Sequence, residues 1–338
     1  MEKVKILKAV DIINDSVSEY EGERPFLSTG DLNLSTITNL ELHTFSEKPS
    51  RANQNVSSGD LILARMQGTV KVKLINNEDE NIIVSTGFLV LRPKINADSK
   101  YLFHLLKSSN FQNDKDKLCT GATQKAINNS NFEKLEIPLP NLATQQRIAA
   151  ILDQADAIIQ NNRAIVQKYD ALTQSLFLDM FGDPVKNEKG WEKKEFSKVA
   201  INENSKRIPV KQSDRDEREG EYPYYGATGI IDTIDDYKFD GEYLLIAEDG
   251  KNLLFRKKNN AFMAYGKFWV NNHAHILSCN NICNLKYLEF FLNSIDLSPF
   301  ISGIDQIKLN KASLDRIPVI VPPIELQNQF AERVAVIE

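Results

Sequence analysis

The strongest constraint on the fold is that much of the chain is written twice. The segment GATQKAINNSNFEKLEIPLPNLATQQRIAAIL begins at Gly121, and GIDQIKLNKASLDRIPVIVPPIELQNQFAERV begins at Gly303; they align without a gap at an offset of 182 residues. Gly121 matches Gly303, Gln124 matches Gln306, Asn128 matches Asn310, Pro140 matches Pro322, Gln145 matches Gln327 and Ala149 matches Ala331. Apolar character is kept at Ile127 and Leu309, Phe132 and Leu314, Leu135 and Ile317, Ile148 and Phe330. Upstream, with small shifts, Lys100-Tyr101-Leu102 returns as Lys286-Tyr287-Leu288, and DLILA at 60–64 returns as YLLIA at 243–247. A period this long means duplicated globular domains, because solenoid repeats are far shorter. The repeating unit is a globular domain followed by a helix.

Composition is consistent with two cores: 338 residues are 42% hydrophobic and 26% charged, too apolar for a disordered tail. The net charge of -5 and pI near 5.6 count against nucleic-acid binding, which leaves a basic footprint. Net charge sums over the whole surface, however, and binding requires only a local basic stripe. Three cysteines, Cys119, Cys279 and Cys283, are too few and too unevenly placed for a disulfide framework, which reads as a reducing, cytoplasmic setting. The charged N-terminus has no apolar run after it, so it is not a signal peptide. No apolar stretch is long enough to span a bilayer, and no membrane partner is expected.

Each globular part reads as mixed α and β. Residues 81–92 (NIIVSTGFLVLR) are rich in β-branched residues and read as a strand with Gly87 as a kink or bulge. Residues 243–247 and 268–277 also look like strands, and 102–106 and 285–292 like short helices with apolar residues at helical spacing. IPLP at 137–140 and VIVP at 319–322 read as extended exits, since proline disfavours helix in the residue before it. Between them, 142–180 contain neither glycine nor proline, and Gly182-Asp183-Pro184 stops the helix. Ile148, Leu152, Ala155, Ile159, Val166, Tyr169 and Leu176 form a coiled-coil-like stripe, with Asn162 and Thr173 at skipped positions. A flanking row, Ile151, Ile158, Ile165 and Leu172, recurs every seven residues and is the expected partner-binding surface. Roughly 38 residues make a rod of about 57 Å. The reading is a spacer between two heads, with Asn162 setting register; the alternative is one amphipathic helix along a core.

The boundaries that follow are a first globular domain at 1–139, a spacer helix at 140–182, a second globular domain at 183–321, and the start of a second helix, cut short, at 322–338. The class is α/β, of the α+β kind, with two similar domains. The stub 324–337 is too short to be a stable helix alone. It is expected to pack antiparallel on the stripe of the first helix. That leaves Ile158, Ile165 and Leu172 to be covered by a partner subunit or a second copy of the chain.

The chain resembles the specificity subunits of type I restriction-modification systems over essentially its whole length. The phrases that carry the resemblance are STGFLVLRP at 85–93, IPLPNLATQQRI at 137–148, LFLDMFGDPVKNEKGWE at 176–192, YPYYGATG at 222–229, FDGEYLLIAEDG at 239–250 and VNNHAHIL at 270–277. The resemblance implies two target-recognition domains, each reading one half of a bipartite, gapped site in double-stranded DNA. It also implies two antiparallel helical spacers that set the gap, and assembly with two methyltransferase subunits and, in the full complex, restriction subunits. Catalysis would belong to those partners.

The residues agree that no catalysis is encoded here. Pro322-Pro323 is flanked by Val321 and Ile324, so it lacks the polar residue of an adenine-methyltransferase motif. Gly250-Lys251 and Gly266-Lys267 lack the earlier glycine of a phosphate-binding loop. His273, His275, Cys279 and Cys283 imitate a zinc site, but the histidines share one face of a strand-like run and no loop separates the pairs to close a knuckle. No cofactor and no metal are expected.

Reading sequence needs side chains that reach base edges and others that grip phosphate. In the first domain the candidates are Arg65, Gln67, Thr69, Lys71 and the loop Thr123, Gln124 and Lys125. In the second they are Tyr224, Tyr225, Thr228, Lys251, Asn252, Lys267 and Lys308. Glycines 68, 121, 226, 229, 250 and 303 would let loops approach the duplex. Gln124, Asn128, Gln306 and Asn310 recur in both halves, whose targets differ, so bracing or phosphate contact suits them better than base reading. Tyr224 and Tyr225 are equally readable as core aromatics. The competing functional class is a duplicated protein-protein scaffold that never touches DNA, for which the acidic pI is the main argument.

Overall fold

The two copies of the repeat fold into two units, Met1–Asn162 and Arg163–Glu338. The computed structural model describes residues 3–303 and 306–337. Ile304 and Asp305 of the second repeat segment, and Glu338 after the second helix, lie outside the described residues.

In unit 1 the apolar runs LILA and FLVL are buried at every position because both faces of their sheet are covered. That sheet is antiparallel, in the order Val10–Ile13, Phe88–Pro93, Leu61–Ala64, Val72–Leu74. The period of two divides it. Leu61, Leu63, Leu89 and Leu91 face Leu102, Leu106 and Phe132 of the helices Ser99–Lys107 and Asn129–Phe132. Ile62, Phe88 and Val90 face Leu27 and Val84, which belong to a second sheet ordered Glu41–His43, Arg24–Leu27, Ile83–Ser85, Ala52–Gln54. Residues 81–92 are therefore not one strand. Thr86-Gly87 is a turn that passes the chain from one sheet to the other, and each half satisfies its backbone in a different ladder.

Unit 2 has a single six-stranded sheet, ordered Ala200–Asn202, Ala274–Cys279, Phe239–Ala247, Ala261–Val270, Tyr222–Gly226, Gly229–Ile234. Leu244 and Ile246 face the helix Leu285–Ser294, while Leu245 faces Phe239, Phe268 and Ile276 on the other side. Residues 268–277 span two strands and a turn. His273 lies in that turn and His275 in the following strand, so the two histidines do not share a strand face. His275 is buried between Asn204 Nδ2, 2.8 Å from Nδ1, and the Leu309 carbonyl, 2.7 Å from Nε2. These partners fix the neutral tautomer with hydrogen on Nε2, and burial lowers the imidazole pKa. Cys279 Sγ donates to the Cys283 carbonyl, and burial pushes the Cys283 thiol up to about 12.

The matched positions of the repeat are structural braces. In unit 1 the first strand, Lys3–Lys5, pairs antiparallel with the last, Glu136–Pro138; in unit 2 Glu192–Glu195 pairs likewise with Pro318–Val321. Tyr101 Oη donates to the Pro138 carbonyl at 2.8 Å, and Tyr287 Oη to the Ile320 carbonyl at 2.7 Å. Gln145, fully buried, donates to the Pro140 carbonyl and accepts from the Asp98 N–H; Gln327, also fully buried, donates to the Pro322 carbonyl and accepts from the Asn284 N–H. Asn128 and Asn310 cap short helices through Asn131 N and Ser313 N. Each unit is thus tied shut where its chain enters and leaves.

The long helix runs Leu142–Phe181, capped by Asn141 at its start and by Gly182 in the left-handed region, φ 78°, at its end. Its start belongs to unit 1: Asp153 meets Lys100 at 2.7 Å and His104 at 2.8 Å, and Asp156 meets Lys107 at 3.1 Å. Its end belongs to unit 2, where Phe177 and Phe181 pack with Tyr287 and with Phe330 of the helix Ile324–Ile337. The terminal helix is therefore held by the last two turns of the long helix and by the helix Leu285–Ser294, away from the flanking row. Ile151, Ile158, Ile165 and Leu172 remain 59%, 60%, 46% and 50% exposed.

Candidate nucleic-acid interface

The loops that leave the central strands are zipped to the glycine loops of the repeat by the same backbone bonds in both units. In unit 1 the Ile127 N–H donates to the Arg65 carbonyl at 2.9 Å, and the Gln67 N–H to the Lys125 carbonyl at 2.9 Å. In unit 2 the Leu309 N–H donates to the Glu248 carbonyl at 2.8 Å, and the Gly250 N–H to the Ile307 carbonyl at 3.1 Å. Thr120 and Ala126 exchange two bonds, and so do Ser302 and Lys308. Gly121 and Gly303 sit at φ 138° and 88°, where a Cβ would strike the carbonyl oxygens of Gln124 and Gln306. These two glycines close their own loops; that, rather than approach to a duplex, is what requires them.

The side chains on this shared frame differ. Unit 1 presents Gln67, Thr123, Gln124 and Lys125, all exposed. Arg65 is turned inward: Nε donates to the Phe88 carbonyl, and Nη1 to the Ile127 carbonyl and Asn129 Oδ1. Burial lowers its pKa, and bracing is the role its contacts support. Thr69 Oγ1 donates to the Met66 carbonyl, and Lys71 Nζ to the Thr29 carbonyl at 2.6 Å. That last bond ties in a hairpin, Leu32–Asn33 with Thr36–Ile37, whose exposed Leu34 at φ 53° accepts through its carbonyl from Val72 N–H. Sequence reading passed over this hairpin because its strands are two residues each and carry no period.

A fully buried lysine holds the turn from beneath. Lys115 Nζ donates to the Met66 carbonyl at 3.1 Å and the Thr69 carbonyl at 3.2 Å, with Asp116 Oδ1 at 3.2 Å. Asp116 Oδ2 in turn accepts from Gly68 N–H at 2.9 Å. Two backbone carbonyls accept from the ammonium and the neighbouring Asp116 carboxylate balances its charge, which is what allows the charge to be buried. Lys115→Met leaves those acceptors bare and is expected to cost on the order of 3 kcal/mol. Hydrogen exchange at the Gln67 and Gly68 amides checks this; unchanged protection would mean the ammonium does not hold the turn.

Unit 2 corrects more of the expectations. Tyr224 is fully buried, with its hydroxyl accepting from Val210 N–H and the Arg215 guanidinium over its ring. Tyr225 packs on Phe262 and Phe268. Both are core aromatics. Lys267 pairs in register with Asp240, at the other end of the strand Phe239–Ala247 from the loop, and lies over Tyr237. Thr228 is half-buried in the turn after Gly226. Asn252 organises its own loop, bonding the Lys258 backbone and Asn260. Lys308 faces Glu248 at 3.6 Å, a carboxylate that also meets Arg207 at 2.9 Å. Only Lys251 and Lys308 of the seven candidates stand exposed on the zipped loops.

Among the described residues no helix is long and apolar enough to cross a membrane. A family model described as the type I restriction modification DNA specificity domain matches residues 4–168 and 188–337. A Haemophilus influenzae protein, provisionally named a type I restriction enzyme specificity subunit, is 38% identical over 41% of this chain and 35% of its own length. The MjaIX specificity subunit of Methanocaldococcus jannaschii is 23% identical over 74% of this chain and 64% of its own. The chain thus spans roughly one to two thirds of these curated relatives. The crystal structure of a type I restriction-modification S subunit from M. genitalium shares the fold, with a TM-score of 0.64 at 18% identity, covering 99% of this chain and 88% of that one.

Proposed function

The chain belongs to the type I restriction modification DNA specificity family, and from that membership we propose that it reads the DNA target for a methyltransferase and endonuclease assembly without catalysing either reaction. Each unit reads one half of a bipartite, gapped site in double-stranded DNA. The observation that carries this is the shared backbone frame with different side chains. Unit 1 offers Gln67, Thr123 and Lys125 where unit 2 offers Lys251 and Lys308, while the exposed Gln124 and Gln306 are common to both. A frame kept constant while its exposed side chains change is what two readers of unlike sequences need, since backbone fixes position and side chains specify bases.

The long helix sets the gap between half-sites, and its exposed row Ile151, Ile158, Ile165 and Leu172 docks the methyltransferase subunits, two per chain. The restriction subunits join that complex. An exposed apolar row of this length on a charged helix marks an interface. The acidic pI fits a subunit that shares its phosphate contacts with partners. The test is footprinting of the chain assembled with methyltransferase subunits. The expected result is two protected patches separated by an open gap, with affinity falling steeply as salt rises. A single continuous patch, or binding indifferent to salt, would refute the reading.

A further inference from the structure

Unit 2 carries an element that unit 1 lacks. The strands Leu61–Ala64 and Val72–Leu74 are joined by seven residues, 65–71, whereas Phe239–Ala247 and Ala261–Val270 are joined by thirteen, 248–260. The extra length holds a short helical turn, Asn252–Phe255, with Arg256 left-handed at φ 49°. The turn is built, not slack. Asn252 bonds the Lys258 carbonyl at 2.9 Å, accepts from the Lys258 N–H at 3.0 Å and donates to Asn260 Oδ1 at 2.7 Å. The Arg256 guanidinium is tied to the Asn293 carbonyl. Leu253 anchors the turn in the core.

Two features of this turn are costly unless something covers them. Leu254 is 44% exposed and Phe255 66% exposed, side by side on a rigid support. Around them stand Lys251, Lys257 and Lys258, all exposed, and residues 250–261 contain no carboxylate. In a chain of net charge -5 this is a local cationic surface with an apolar tip. It begins at Gly250, whose N–H is bonded to the Ile307 carbonyl of the zipped loops, so it is continuous with the candidate interface.

We propose that this turn is a DNA-gripping element in which Phe255 presses as an apolar wedge against one base step of the half-site read by unit 2, while Lys251, Lys257 and Lys258 hold the flanking phosphates. The proposal rests on the DNA-reading function given above and adds Phe255, Lys257 and Lys258 to the sequence candidate Lys251. Apolar side chains inserted at a base step unstack it, and the cost is offset by closer contact with the backbone. Lysines supply charge without demanding a fixed geometry. Since unit 1 has no counterpart, the distortion falls in one half of the site only.

The experiment uses the chain assembled with its methyltransferase subunits on a target duplex carrying 2-aminopurine at successive positions of the two half-sites. Wild type is expected to raise the fluorescence at one step of a single half. Phe255→Ala is expected to abolish that rise and weaken binding about ten-fold, with Phe255→Leu restoring much of both. The variant with Lys251, Lys257 and Lys258 all changed to Gln is expected to flatten the salt dependence of the logarithm of affinity by about 0.9 for each phosphate no longer neutralised. All four side chains are exposed, so folding is expected to survive, and an unchanged melting temperature verifies it. If wild type binds both half-sites with steep salt dependence but none of these variants changes fluorescence, affinity or slope, the wedge is wrong and the DNA-reading function stands. The wedge is equally wrong if the variants bind DNA normally but fail to retain the methyltransferase subunits, because the turn then docks protein. Failure of wild type to bind DNA at all removes the function itself.

Discussion

Replacing residues 1–162 by the corresponding segment of a relative is expected to change one half of the methylated motif completely and leave the other half unaltered. The physical basis is closure. Unit 1 pairs its first strand with its last, Lys3–Lys5 against Glu136–Pro138, so its sheets and core form without help from downstream residues. The choice of breakpoint matters. Residues past 139 still belong to this unit, through Gln145, through Ala149 in its core, and through Asp153 and Asp156, which meet Lys100, His104 and Lys107. An exchange at 139 is expected to give the same new half-specificity but a less stable protein. The buried bonds of Gln145 are put at risk, and each partly exposed ion pair adds roughly 0.2–1 kcal/mol. Sequencing of methylated adenines reads the motif, and thermal unfolding reads the difference between breakpoints. A change in both half-sites from either exchange would refute two independent readers.

Phe181→Ala is expected to destabilise unit 2 by about 3–5 kcal/mol, the usual cost of emptying a buried aromatic site. Phe181 is fully buried, with its ring 4.8 Å from Tyr287, 5.1 Å from Phe177 and 5.4 Å from Phe330. The edge-on contacts with Tyr287 and Phe330 add to the loss of apolar burial. The readout is selective, because both tryptophans, Trp191 and Trp269, lie in unit 2, and Trp191 Nε1 donates to the Phe181 carbonyl itself. Urea unfolding followed by tryptophan emission therefore reports this unit. Ile158→Ala, at a position 60% exposed, is expected to change the stability of the isolated chain by no more than about 0.5 kcal/mol. Ile158→Asp and Ile165→Asp are expected to fold normally yet fail to assemble with methyltransferase subunits. Equal costs for Phe181→Ala and Ile158→Ala would contradict the division of the long helix into a buried end and an exposed stripe.

That division is only half legible in the sequence. The helix itself is plain, because glycine and proline are absent from 142–180 and Gly182-Asp183-Pro184 follows. The row at Ile151, Ile158, Ile165 and Leu172 is also plain. Which apolar residues the chain covers for itself is not: Phe177 and Phe181 have the same apolar character as the row but are buried because Tyr287 and Phe330 reach them. Periodicity gives a face, and only packing says what lies against it.

The sequence by itself determined the duplication, the glycine loops and the braces, because each is encoded by local identity. Gln145 and Gln327, Asn128 and Asn310, and Gly121 and Gly303 are matched in sequence and do matched work in space. The candidate DNA contacts were harder, because exposure, reach and competing partners are properties of the fold. Tyr224 and Arg65 have the chemistry of contact residues, yet Tyr224 is buried and the Arg65 guanidinium is held by backbone carbonyls. Lys267 is placed at the far end of its strand by sheet register. Phe255 looks in sequence like any core phenylalanine, and the tertiary structure leaves it outside, because the turn that carries it is pinned by Asn252 and Leu253 facing inward.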